Sequence, residues 1–305
     1  MLIILFSVAS FRYEGLFSVG VVAQLFSEKN AILGIAALGM TFVILSGGID
    51  LSVGAVMAFT TIFIATLVEK GGVHPVVAWS LAIILGTGFG AAQGYLIHAF
   101  KLPPFLVTLA GMFFARGMAF VVASESIGIS HAFYESVTFS LQLGDTAAYL
   151  TTVTVVYLVL LGAALYLAHG TKFGRTVYAV GGNENSALLM GLPVARTKVL
   201  VYAINGLFAA LGGIAWTIDT PAGNPTWGTG LELFVIAAVV IGGSQLSGGV
   251  GFVLGTVLGV LVYATIELAI TFDGNLSSSI TAVAVGVLLL LFIGLQRLMS
   301  RGGGA

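Results

Sequence analysis

The chain contains no cysteine, which excludes disulfides, thiolate metal sites and a thiol nucleophile, and removes the usual clue to redox compartment. Charge is nearly as scarce: 8% of the 305 residues are Asp, Glu, Lys or Arg, against about 25% in water-soluble domains. A formal balance of -1 without a basic cluster leaves nothing to hold the phosphates of a nucleic acid. There is no Gly-x-x-x-x-Gly-Lys-Ser/Thr loop to cradle a nucleotide, no His-Glu-x-x-His helix and no Gly-x-Ser-x-Gly elbow. No catalytic residue, metal site or bound cofactor is therefore expected on this chain. If a nucleotide drives it, another polypeptide must do the hydrolysis.

What is present is oil. Hydrophobic residues make up 58% of the sequence and mean hydropathy is +1.11. So little charge cannot clothe a water-facing surface, so the expected class is an all-α polytopic membrane protein, a single domain over 1–305. Uncharged apolar stretches fall at 31–68, 75–99, 103–115, 147–168, 199–218, 233–266 and 278–296. Counting two crossings in each of the long ones gives a bundle of about 8–10 helices, ten for a full-length chain, at ~20 residues per span. The apolar run 1–11 is short for a span and has no basic leader. It reads as a chain starting partway into a helix rather than as a signal peptide.

The two longest stretches, 31–68 and 233–266, share a pattern, Gly-Gly-x-x-Leu-Ser-x-Gly. It runs Gly47, Gly48, Leu51, Ser52, Gly54 and again Gly242, Gly243, Leu246, Ser247, Gly249, a constant shift of 195 between residue 47 and residue 242. Paired glycine interruptions in two halves of a membrane chain point to an internal repeat and a transport pathway. Gly47, Gly48, Gly242 and Gly243 are the expected hinges. Each long stretch makes either two full crossings or two arms that dip in and return, and charge counting does not separate these.

Polar residues in such surroundings are costly and normally face protein or a wet cavity. Asp50, Ser52, Arg116, Asn205 and Gln245 are the candidates for a substrate pathway. Asp50 or Ser52 could instead only cap the following helix. Arg116 is expected to pair with Glu267 or Asp50, or to snorkel outward. Asn205 suits an interhelical hydrogen bond as well as a polar cargo. Glycines at four-residue spacing, Gly86, Gly90, Gly94 and Gly251, Gly255, Gly259, read as close helix contacts. The histidines His74, His98, His131 and His169 fall near span ends.

Lys and Arg concentrate in 169–198 (Lys172, Arg175, Arg196, Lys198), with Lys101 in a tight turn and Arg297 and Arg301 near the C-terminus. The segments with Glu125, Glu135 and Asp145, with Asp219, and with Asp273 carry no base. By the positive-inside rule 169–198 and the C-terminus are cytoplasmic and the acidic segments outside, with Lys70 the one dissenter. Within 169–198, Asn183, Asn185 or Ser186 can cap a short helix that Gly191 ends and Pro193 forbids from continuing. A short apolar-faced helix of this kind suits docking into a groove on a partner. Arg175, Asn183, Glu184, Ala187, Leu188 and Gly191 are the expected coupling residues.

At these motifs the chain resembles the permease subunits of bacterial ABC sugar importers of the ribose type. The likeness rests on Ala37 to Gly54, on Thr108 to Met112 with Arg116-Gly117, on Phe173-Gly174-Arg175 with Gly181 and Asn183, and on Glu232-Leu233 leading to Ile236 through Gly243. Within the family, Met112 to Gly117 and Ser124 to Ile127 look most like one of the two permeases of the galactofuranose importer. The resemblance implies an inner-membrane heterodimer with a second homologous permease, cytoplasmic ATPases holding ATP and Mg, a periplasmic sugar-binding protein, and coupling through the short cytoplasmic helix. One departure is Phe234, where the family often has Asp. Working alone on an ion gradient, with Asp50 as the coupling carboxylate, is the other reading the residues allow.

Overall fold

The computed structural model describes residue 25 and residues 27–142, 149–273 and 279–302. The N-terminal apolar run, Asp145 and the segment 274–278 lie outside the described residues. In chain order the helices are α1 (Glu28–Leu45), α2 (Val53–Ala65, continued by a π turn to Lys70), α3 (Pro75–Ala99), α4 (Pro104–Val122), α5 (Ala132–Val137), α6 (Thr152–Leu165, with a π turn to Gly170), α7 (Lys172–Gly182), α8 (Glu184–Leu189), α9 (Val194–Asp219), α10 (Leu231–Ile241), α11 (Val253–Asp273) and α12 (Ser279–Gly302). Among the described residues four short strands pair as two antiparallel ribbons, β1 (Ile127–Gly128) with β4 (Ala222–Gly223) and β2 (Ser140–Gln142) with β3 (Tyr149–Thr151). The strands gather at one end of the bundle and α7–α8 at the other.

Among the described residues seven helices are long and apolar enough to cross a membrane, and Leu231–Ile241 and Ile280–Gly294 are shorter apolar helices. The protein is a polytopic helical bundle, as composition required. Burial sorts its helices. In the span window of α1, 89% of residues are buried and in α9 72%, whereas α3, α4 and α6 each bury 28%. Helices apolar on every side, such as α1, belong at the centre, while α3, α4 and α6 present apolar side chains such as Ile84, Phe113 and Val159 outward.

Close approach along glycine stripes sets this arrangement. On α3 a Cβ at Gly90 would lie 2.1 Å from the Tyr202 carbonyl of α9, and at Gly206 of α9 a Cβ would lie 2.1 Å from the Gly86 carbonyl. Neither backbone can yield, so glycine at these positions lets the two helices touch. In lipid, where apolar side chains gain nothing by leaving solvent, such contacts hold helices together. The expected packing role of Gly86, Gly90 and Gly94 is what their geometry performs. All four histidines sit at helix ends, with His74 and His131 capping α3 and α5.

Candidate functional site

Both long apolar stretches are broken at their diglycines, and the break has the same local form twice. α1 ends with Gly47 at φ 79°, its N–H bonded to Ile44 O (2.9 Å), while Gly48 N–H reaches back to Val43 O (2.9 Å). α10 ends with Gly243 at φ 99°, its N–H on Val240 O (2.9 Å) and Ser244 N–H on Val239 O (3.2 Å). This is the six-to-one, five-to-two pattern of a Schellman cap, which needs a left-handed residue just past the helix. It also corrects the register of the repeat. The sequence matches residue 47 to 242, but Gly242 is right-handed at φ −67°, so the structural equivalent of Gly47 is Gly243, a shift of 196.

The first break carries a buried polar knot. Asp50 is 2% exposed. One carboxylate oxygen accepts from the Ser52 N–H and hydroxyl (both 2.7 Å), the other from the Asn205 side-chain amide on α9 (2.8 Å). Gln93 of α3 donates to the Ser52 hydroxyl at 3.1 Å. The Ile49 carbonyl accepts from Thr108 of α4 (3.3 Å) and from Tyr202 of α9 (3.4 Å). Three helices are thereby stitched to seven non-helical residues, 46–52. Neither side chain serves as a helix cap, since Ser52 makes no side-chain cap bond and Asp50 instead closes a local turn before α2. Gly111 of α4 makes room, since a Cβ there would stand 2.1 Å from the Gln93 amide. Gln93, Thr108 and Tyr202 were not singled out from sequence. An uncharged amide in the oily run 75–99 is the signal that points to Gln93.

The second break is different in kind. Gln245, which takes the Asp50 position in the second copy, closes its own loop through its N–H to Val250 O (2.9 Å), and among the described residues its side chain bonds Ser247 at 3.5 Å. Here glycine backbone makes the contacts. Gly249 N–H donates to Leu45 O (2.9 Å), joining the second break to the end of α1. A Cβ on Gly248 would be 2.7 Å from Gly47 Cα, and one on Gly181, at the end of α7, would be 1.8 Å from Leu45 O. The Tyr178 hydroxyl of α7 donates to Gly251 O (2.9 Å), and burial pushes that phenol's pKa above its ordinary value. Thus α7 rests directly on both breaks.

Arg116 has neither expected partner. Its Nη1 donates to the carbonyls of Pro225 (2.7 Å) and Trp227 (2.8 Å), with the Glu232 charge nearby. Glu267 instead pairs with Lys29. The reason lies in the loop before α10. Gly223 sits against Thr61 and Ala65 of α2, while Gly228 O faces Gly54, so 223–228 descends alongside α2 by about 10 Å at 1.5 Å per residue. α10 therefore begins inside the bundle with 11 residues, about half a 30 Å span. Its buried first-turn Glu232 lies under Gly54. Phe234, the departure from Asp, sets its ring 5.3 Å from Tyr263.

The segment 172–191 folds as its capping residues dictate. Asn183 Oδ1 accepts from Ser186 N–H (2.8 Å) and Gly191 ends α8 at φ 77°. Ala187 is fully buried against Val180 and Val194, so it holds α8 to α7 rather than facing a partner. Arg175 and Asn183 are exposed, Glu184 bonds Lys198 at 2.6 Å, and Leu188 shares the outer face with Leu189 and Met190, the last two exposed at 88% and 67%.

The geometry is that of a polytopic helical bundle in which two capped breaks meet a peripheral helix pair. The chain belongs to the family described as "Branched-chain amino acid transport system / permease component", whose model matches residues 26–295. It is similar to the inner membrane ABC transporter permease protein YjfF of Escherichia coli, 46% identical over 94% of this chain and 86% of that protein. Similar too are the ribose import permease protein RbsC of Bacillus subtilis, 40% identical over 88% of this chain and 83% of that one, and the fructose import permease protein FruG of Bifidobacterium longum, 36% identical over 93% and 85%. No solved structure matches the chain.

Proposed function

We propose that this chain is a membrane-spanning permease of an ATP-driven importer, passing a monosaccharide inward through the bacterial inner membrane. Galactofuranose is the favoured sugar, on the resemblance at Met112–Gly117 and Ser124–Ile127. ATP and Mg are held by a cytoplasmic ATPase, a periplasmic protein delivers the sugar, and a second homologous permease completes the passage. The α7–α8 end is the cytoplasmic one, as its lysines and arginines require, and the C-terminus lies on the same side.

The observation that carries this reading is the glycine junction, where α7 touches both breaks through Gly181 and Tyr178. A force applied to the exposed Leu188-Leu189-Met190 face of α8 passes through Val180 and Ala187 into α7, and from there to Leu45 and Gly251 without an intervening flexible link. Gly242 and Gly243 are the points that bend, while Gly47 and Gly48 turn the chain into the fastened break. Asp50, Ser52 and Asn205 form the fixed wall of the pathway beside them; Gln245 lies at its cytoplasmic mouth and Arg116 above it.

Purification of the native complex, followed by uptake into vesicles, tests this. ATPase and a second permease should accompany the chain, and uptake should need ATP. Leu189→Asp should leave the complex's ATP hydrolysis running while sugar uptake falls about tenfold, the equivalent of ~1.4 kcal/mol of docking energy. Uptake by the chain alone on an ion gradient, abolished by Asp50→Asn, would instead establish the solitary ion-driven transporter.

A further inference from the structure

Between the two broken segments, towards the strand end, lies a cavity of about 190 Å³. Lys29 of α1, Trp216 of α9, Trp227 and Thr229 of the descending loop, Phe234 of α10 and Tyr263 of α11 line it. The rings are paired: Trp216 and Trp227 have centroids 5.0 Å apart at 39°, and Phe234 and Tyr263 stand 5.3 Å apart at 52°. Trp227 owes its place to Arg116, which holds its carbonyl. Among the described residues neither indole N–H of the Trp pair has an acceptor, and Thr229 is exposed.

We propose that this cavity is a way-station for one sugar ring, held by its C–H face on the Trp216–Trp227 pair. The proposal rests on the importer reading above. Aromatic faces carry partial negative charge and attract the positive edge of C–H groups, while a sugar's rim of hydroxyls needs donors and acceptors. The unclaimed indole N–H groups and the Lys29 ammonium hydrogens not used on Glu267 offer donors at the rim, and the Thr229 hydroxyl, which donates to Thr226 O (2.7 Å), offers an acceptor. A second hollow of similar size, about 210 Å³, lies between α3, α4 and α2. Its walls are Val56, Phe59, Leu85, Phe89, Phe114 and Met118, with no hydroxyl or charge among them, so it fits hydrocarbon and not a sugar. The aromatic cavity also lies where α1 and α10 face each other, at the meeting of the two halves, the general location of cargo in repeat-built transporters. Few hydrogen-bonding groups mean brief residence, which suits a passage.

The test uses the whole complex in vesicles with radiolabelled D-galactose and D-ribose, and reads sugar moved per ATP hydrolysed. That ratio separates cargo handling from loss of assembly, which lowers both activities together. Trp227→Ala and Trp216→Ala should each reduce the ratio about tenfold, and Trp227→Phe, which keeps a ring, should stay within about threefold of the parent. An unchanged ratio in both alanine variants overturns the proposal, whether uptake is retained or falls in step with hydrolysis. An equal fall in Trp227→Ala and Trp227→Phe also overturns it, because a ring then does not matter. If the parent complex moves neither sugar and no ATPase accompanies the purified chain, the importer reading itself fails, which the variants' results do not affect.

Discussion

The two breaks share a backbone motif yet differ in everything around it. At 46–52 the chain is fastened by Asp50, Ser52 and Ile49 to Gln93, Thr108, Tyr202 and Asn205, on three helices. At 242–252 it is held by its own loop bonds, by glycine backbone pressed on Leu45 and Gly182, and by one side-chain bond, from the Tyr178 hydroxyl to Gly251 O. Side-chain hydrogen bonds in a dry interior are expensive to orphan, so the first break is rigid. Backbone contacts between glycines exclude side chains but impose few directional demands, so the second can shift. The difference assigns a fixed post to one half of the repeat and a moving jamb to the other.

Destroying the post should have the largest effect. Asp50→Leu leaves the Ser52 N–H and the Asn205 amide without an acceptor, at about 1–3 kcal/mol each, and the Ser52 hydroxyl with Gln93 Oε1 at 3.4 Å alone, and the complex should fail to assemble in detergent as judged by size-exclusion profile. Asp50→Asn should be far milder. Among the described residues the Asn205 carbonyl oxygen has no partner, so turning that amide offers an acceptor to the new NH2, and thermal stability should stay within about 1–2 kcal/mol of the parent. Equal damage from both substitutions would mean the charge, not the bonding geometry, holds the post.

Next in size is the junction. Gly181→Val places carbon against Leu45 O, where even a Cβ would stand at 1.8 Å, and overpacking of this kind costs about 1–3 kcal/mol. Sugar uptake should fall at least tenfold while ATP hydrolysis persists, measured on the same vesicles. Tyr178→Phe removes one bond to the second break, worth about 1 kcal/mol, and uptake per ATP should fall by roughly fivefold. Ser247→Ala removes an exposed hydroxyl whose bond among the described residues is to Gln245 at 3.5 Å, and should change uptake by less than about twofold, the size of a surface substitution. A large loss there would place the second break, rather than the first, in the role of the fixed post.

Much of this was legible from residues alone. Two breaks, the helix capped by Asn183 and stopped by Gly191, and the glycine stripe on α3 follow from backbone rules that operate over a few residues. The register of the repeat did not, because adjacent glycines are equally able to turn left-handed and only the hydrogen bonds of the preceding helix select Gly47 in one copy and Gly243 in the other. The partners of Arg116 were misassigned for a similar reason. Its acceptors are main-chain carbonyls more than a hundred positions away, and a carbonyl leaves no mark in a sequence. The early start of α10 was hidden because 219–231 looks like an ordinary outer loop. Trp216 just before that segment and Trp227 within it, two of the chain's three tryptophans, were the overlooked sign of it.

Arg116's choice of main-chain oxygens has an evolutionary consequence. A tether that grips carbonyls is indifferent to which side chains the loop displays, so Trp227 and Thr229 can be exchanged for other residues without unmooring the segment. Descendants of one ancestral passage could therefore acquire new cargo preferences by rewriting a handful of codons in 224–230, while Arg116 and the rest of the scaffold stayed as they were.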